Sequence, residues 1–157
     1  MPNFGVSKNN NIMSNRIRIN KTEPAAYKAM LGLSQSSATV LDKKHAELIK
    51  IRASQINGCA YCLNMHTVDA RKYGETEQRI YTLSAWRDTP FFDEKEQAIL
   101  ALTEEITEIS KGGVSADTYN NAAKLFDEQY LSQIIMSIVT INAWNRIAIS
   151  THLVPGE

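Results

Sequence analysis

The chain has 157 residues, 43% of them hydrophobic, with 17 basic and 17 acidic side chains and no formal net charge. That length fits one domain able to bury its own core. The balanced charge lacks the basic excess of a nucleic-acid binder or an anionic-membrane binder, and no run of about 18 apolar residues predicts a transmembrane helix.

The opening stretch, MPNFGVSKNNNIMSNRIRIN, is polar and Asn-rich and lacks the apolar core of a secretory signal. Residues 1–20 are expected to form a flexible arm, and residues 21–157 a single domain of cytoplasmic location. Helical apolar spacing then dominates. A first helix is predicted over about Glu23 to Ser36. A second follows Asp42 as N-cap and stops at Asn57-Gly58. A third begins at or just after Cys59, placing that residue in its first turn, and runs to about Tyr73 before Gly74. TEQRIYTLSAWRD reads as a short fourth helix closed by Pro90. Asp93 with Glu96 forms a capping-box pattern for a fifth, continuing to Gly112-Gly113, with TEEITEIS as a solvated face. Ser115 caps a sixth. The last, EQYLSQIIMSIVTINAWNRIAISTHL, ends near Pro155 and is apolar around much of its circumference. It is expected either at the centre of the bundle or with one face covered by another subunit. The fold class is all-α, with five to seven helices.

A faint internal echo exists at an offset of 85 residues, aligning Asp42, Ile49 and Ile56-Asn57 with Asp127, Ile134 and Ile141-Asn142. Any such repeat is structural, because Trp144 stands where the first copy has Cys59. Trp86 and Phe91-Phe92 read as packing or subunit contacts, and His45 and His152 as exposed.

Both cysteines lie in QINGCAYCLNMHTVDA, as Cys59-x-x-Cys62-x-x-x-His66. At 3.6 residues per turn the three side chains fall within roughly 60° of one another on a helix face. A helix start offers free N–H groups and a positive dipole end, which favour thiolate, and an imidazole one turn on can accept or return a proton. Three readings fit: thiol redox chemistry, a zinc site with Cys59, Cys62 and His66 as three ligands, or two buried thiols. Zinc is disfavoured because no second ligand pair exists, and c-type haem attachment is excluded by Leu63 after the second cysteine.

The run IKIRASQINGCAYCLNMHTVDARKYGE, with Glu47 twelve residues before the C-x-x-C and the terminal AWNRIAI, resembles the carboxymuconolactone decarboxylase / alkylhydroperoxidase D-like superfamily. The likeness extends from about Glu23 to Gly156. It implies an all-helical domain assembling as homo-trimers or hexamers. It further implies a thiol peroxidase in which Cys62 attacks a small-molecule hydroperoxide and Cys59 resolves the sulfenic acid to a disulfide. His66 and Glu47 would relay protons, and a dithiol such as a lipoylated protein would act as reductant. No bound cofactor or metal is expected. Tyr61 departs from the pattern: lipoyl-linked peroxidases of the family carry histidine immediately before the second cysteine, so Tyr61 is expected in a supporting role. Without the resemblance, Lys43 and Lys50 would make Glu47 an exposed helix ion pair. The family's decarboxylases do not rely on a C-x-x-C pair, so retention of both thiols points to the redox branch. A metal-binding or structural oligomer and a cofactor-independent lyase are the alternatives.

Overall fold

In a computed structural model of the chain, residues 16–37 and 39–156 are described, and among them all regular structure is helical. The helices are α1 (Ile19–Thr22), α2 (Pro24–Ser37), α3 (Lys43–Asn57), α4 (Ala60–Lys72), α5 (Glu77–Thr82), α6 (Glu94–Thr107), α7 (Ala116–Leu125) and α8 (Glu128–Thr151), with short 3₁₀ turns at Leu83–Asp88 and Ile109–Lys111. The eight α-helices exceed the five to seven expected. The difference is α1, a single turn that apolar periodicity cannot register because it buries nothing. Of the expected N-terminal arm, residues 1–15 lie outside the described residues.

The punctuation follows local chemistry. The Asp42, Thr76, Asp93, Ser115 and Asp127 side chains each accept a backbone N–H at a helix start, and Asp93 with Glu96 completes the capping box. Gly58 ends α3 in the left-handed region at φ 70°, where a Cβ would strain the backbone, and this allows the chain to reverse directly into Cys59. The expected fourth helix is divided: the α-helix gives way at Leu83 to a 3₁₀ segment, within which Ala85 at φ −120° departs from helical geometry.

The central helix is α3, packed against α4, α6 and α8. Leu48, Ile49, Ile51 and Ala53 along it are at most 1% exposed; Ile49 and Ala53 pack in one cluster with Ile99 and Leu102 of α6 and Ile134 and Ile138 of α8, and Leu48 and Ile51 in a second with Ala70, Leu83, Trp86, Phe92 and Leu100. The last helix therefore shares the centre rather than occupying it. Its inner face packs on α3, while Met136, Val139 and Ile149 stay exposed.

The helices α3 and α8 run parallel and in register. Near their starts His45 Nδ1 is 2.7 Å from Tyr130 Oη; near the other end Asn57 donates to Asn142 at 3.0 Å, and both pairs share the offset of 85 residues. The sequence echo thus marks two adjacent helices, each opened by an aspartate cap. His45, expected to be exposed, is half-buried because Tyr130 and Phe126 pack against it. Asn57 also donates to Asn145 at 2.9 Å, and fully buried Asn145 donates to Ser54 at 3.0 Å. These polar pairs reward one register, since a slip would strand buried amides. Asn145→Ala removes a partner from both Asn57 and Ser54. By the cost of unsatisfied buried polar groups it should lower stability by about 2 kcal/mol, read as a shift in the urea midpoint with unchanged slope.

The TEEITEIS run is not a solvated face. Thr103 is fully buried; Glu104 accepts from Arg52 Nε at 2.8 Å and Trp86 Nε1 at 2.9 Å, and is ion-paired with Arg87. Glu105 accepts from the Ser115 N–H at 2.7 Å and from Thr118 Oγ1 at 2.8 Å, tying α6 to the start of α7. Charged letters here serve partners on other elements, which spacing along one helix does not reveal. Trp86 and Phe92 are core residues, whereas Phe91 is exposed.

Candidate active site

The turn at Gly58 places the end of α3 directly against the start of α4. Cys59 is the N-cap of α4, one step before the first turn where it was expected, and its Sγ accepts from the Cys62 N–H at 3.3 Å. The two sulfurs are joined in a disulfide, with the Cα atoms 5.4 Å apart. Both residues are buried, at 1% and 2% exposure, within the core formed with α3, α6 and α8.

One turn past Cys62, His66 turns Nδ1 toward α3 and meets Glu47 Oε2 at 2.9 Å. The other carboxylate oxygen of Glu47 accepts from Lys50 Nζ at 2.8 Å. Glu47 is 5% exposed, so it is a buried carboxylate rather than an exposed helix ion pair. Lys43, the other lysine that could have paired with it, lies over the Tyr73 ring. Burial acts to push the Glu47 carboxyl upward, but the hydrogen bond with His66 and the Lys50 charge outweigh it and hold the group below its ordinary value. An ionised carboxylate can only accept, so His66 Nδ1 carries the proton toward Glu47. In the neutral ring, Nε2 then holds the lone pair.

A cavity of about 280 Å³ adjoins this cluster. Of the two cysteines, Cys62 lines it, together with His66, Lys50 and Tyr61. The opposite wall comes from α2 and α8, where Tyr27 packs edge-on against Trp144 at 5.2 Å and the Trp144 indole N–H donates to Ser34 Oγ at 2.7 Å. The structure thus brings Cys59, Cys62, His66, Glu47 and Tyr61 into one region. Sequence reasoning passed over the α2 and α8 wall, which lies far away in the chain. Lys50 entered only as a helix neighbour of Glu47. Among the described residues, no group of three or more His, Cys, Asp or Glu side chains is arranged to hold a metal ion. His152, at the C-cap of α8, stands exposed. No helix among the described residues is long and apolar enough to cross a membrane.

With this geometry in hand, comparison with known proteins gives consistent relatives. The sequence model of the carboxymuconolactone decarboxylase family matches residues 24–105. The chain is 42% identical over 139 residues to YdfG of Bacillus subtilis strain 168, an uncharacterized protein, covering 88% of this chain and 95% of that one. A solved structure from Agrobacterium tumefaciens, described as of unknown function and as a candidate antioxidant-defence protein AhpD, is similar with a TM-score of 0.86 and 36% identity, covering 90% of this chain and 99% of that one. The debrominase Bmp8 shares the fold at a TM-score of 0.75 and 17% identity, covering 87% of this chain and 74% of its own. With the family pattern spanning α2 to α6 and the cysteine pair set at the start of α4, the chain belongs to the carboxymuconolactone decarboxylase family, in its AhpD-like group bearing the C-x-x-C-x-x-x-H motif.

Proposed function

We propose that the protein is a thiol-dependent hydroperoxide reductase cycling between the Cys59 and Cys62 thiols and their disulfide. The observation that carries this reading is the buried Glu47–His66 pair one helical turn from Cys62, with Cys62 and His66 lining the same cavity. Because the fold also carries a debrominase, the choice of a peroxide comes from the paired thiols: a second sulfur within bonding reach captures a sulfenic acid before it oxidises further.

In the reduced protein, His66 Nε2 takes the Cys62 proton, and Glu47 stabilises the resulting imidazolium at Nδ1. The thiolate attacks one peroxide oxygen and the O–O bond breaks. Cys62 becomes a sulfenic acid, and the departing alkoxide takes the proton back from His66 to leave as an alcohol. Cys59 thiol then displaces hydroxide from the Cys62 sulfur, forming the disulfide and releasing water. A dithiol reductant, such as a lipoylated protein, enters the cavity and attacks Cys62. Cys59 leaves as a thiol, and the second reductant thiol closes its own disulfide. The His66 hydrogen bond and the Lys50 charge together keep Glu47 ionised, and Tyr61 shapes the approach to Cys62. Assembly into a homo-trimer or hexamer in the cytoplasm belongs to the same reading, with the Met136 and Val139 face of α8 available for contact.

The test is a titration of fully reduced protein with tert-butyl hydroperoxide, free of reductant. Both thiols should disappear together, with loss of two hydrogens in intact mass and no intermolecular crosslink. Thiols that survive excess hydroperoxide, or that react no faster than free cysteine, overturn the proposal. Addition of dihydrolipoamide should then sustain repeated turnover.

A further inference from the structure

Four serine or threonine side chains line the cavity beside Cys62: Ser34, Ser37, Ser137 and Thr140. Three of them are committed to the protein. Ser34 donates to the Met30 carbonyl and accepts from Trp144, Ser37 donates to the Ser34 carbonyl, and Thr140 to that of Met136. Ser137 is the exception. It is 2% exposed, and among the described residues its hydroxyl has no hydrogen-bond partner. Helical hydroxyls commonly turn back to the carbonyl one turn earlier, as Ser132, Thr140 and Thr151 of α8 do. The Ser137 proton is left for whatever enters the cavity.

Helix register places this hydroxyl across from the reacting sulfur. Glu47 of α3 meets His66 of α4, and the two helices run in opposite directions from the Gly58 turn. One turn back along α4 from His66 is Cys62, and one turn on along α3 from Glu47 is Ile51, so Cys62 stands level with Ile51. The offset of 85 residues between the parallel helices α3 and α8 then sets Ile51 level with Met136. Met136 is exposed on the outer face, and the next residue, Ser137, lines the cavity. Leu31, Met65 and Ile141 supply apolar wall to the same cavity, and in such surroundings a hydrogen bond to a bound oxygen is stronger than in water.

We propose that Ser137 is the hydrogen-bond donor to the departing oxygen of the oxidant. This rests on the peroxidase reading and adds a residue to it. As the Cys62 sulfur bonds the near oxygen, the O–O bond breaks and its electron pair collects on the far one. That oxygen lies away from the attacking sulfur, on the side where α8 forms the wall. The Ser137 hydroxyl donates to it without giving up its own proton, while His66 supplies the proton with which it leaves as an alcohol. Cys62 is oxidised to the sulfenic acid and the hydroperoxide is reduced. A donor fixed on a helix needs no reorganisation as the charge develops. Alkylation of the same thiolate has no departing oxygen, so the hydroxyl plays no part in it.

The experiment sets Ser137→Ala against wild type, both fully reduced and free of reductant. Each is treated in a single turnover with tert-butyl hydroperoxide and, separately, with iodoacetamide over a range of pH. Reaction at Cys62 is read by peptide mass spectrometry. Oxidation should be about tenfold slower in the variant, the effect of one neutral hydrogen bond. Alkylation should keep both its rate and its pH midpoint, because thiolate formation depends on His66 and Glu47. Equal oxidation rates overturn this inference. So does a parallel fall in oxidation and alkylation, which would assign Ser137 to packing alone. If wild-type Cys62 is oxidised no faster than a free thiol while iodoacetamide still reaches it, the underlying reading fails as well.

Discussion

Cys62→Ser should reduce hydroperoxide consumption by about 10³-fold or more, because a serine hydroxyl neither ionises near neutral pH nor attacks an O–O bond. Cys59→Ser should behave differently. Its Cys62 still faces the cavity beside His66, so the first attack survives and the reaction stops at the sulfenic acid. A dimedone adduct on Cys62, found by peptide mass spectrometry in Cys59→Ser and absent from Cys62→Ser, is the expected signature. Both cysteines are core residues, so each variant's thermal midpoint must be measured beside its rate. The assignment of roles fails if Cys62→Ser keeps the burst of oxidation and Cys59→Ser loses it. Cys59 does not line the cavity, and at the N-cap its sulfur faces back toward the Cys62 N–H, a position suited to resolving rather than to meeting a substrate.

The asymmetry between the two thiols was only partly legible in the sequence. Spacing put Cys59, Cys62 and His66 on one face, but it could not say that Cys59 sits on the N-cap while Cys62 opens onto a cavity. The Gly58 stop explains both, since a left-handed residue followed at once by a helix start leaves Cys59 as the hinge residue. Glu47 was legible only through resemblance. By local spacing it pairs with lysine, and it does pair with Lys50; burial and the contact with His66 are tertiary facts. The caps at Asp42, Asp93 and Ser115 were readable because capping is a local interaction. The Glu104 cluster with Arg52, Trp86 and Arg87 was not, because its members come from α3, the 3₁₀ turn and α6. The offset of 85 residues deserved more weight than a handful of matches implied. It records two parallel helices whose facing asparagines must meet.

That polar seam also bears on the site. Asn57 is the last residue of α3, immediately before Gly58 and Cys59, and its amide is held by Asn142 and Asn145 of α8. The same α8 carries Trp144 and Ile141 into the cavity wall. One set of hydrogen bonds therefore sets both the cysteine hinge and the surface opposite Cys62, so packing and chemistry share their supports.

Glu47→Gln tests whether the buried carboxylate acts on the chemistry or only on the fold. Glutamine keeps the volume and can still accept from His66 Nδ1, but it removes the charge that stabilises an imidazolium and leaves Lys50 without its counter-ion. The rate of thiol oxidation should fall by about 10²-fold, the lower end of the range for general acid–base assistance. Stability responds with a definite sign. The Glu47 carboxyl is held below its ordinary 4.5 in the folded chain, so its contribution is present above that value and is lost as pH falls through the depressed one. The gap in unfolding free energy between wild type and Glu47→Gln should therefore be widest near neutrality and narrow as pH falls below 4.5. Glu104, also held low against the opposing pull of burial by Arg87, Trp86 and Arg52, is left in place and keeps its own share of the acid sensitivity. A purely structural Glu47 would give the stability gap alone. A positioning Glu47 acts through His66, so Glu47→Gln combined with His66→Gln should be no slower than His66→Gln by itself. Rate losses that simply multiply in the double variant would separate the two residues and break the relay.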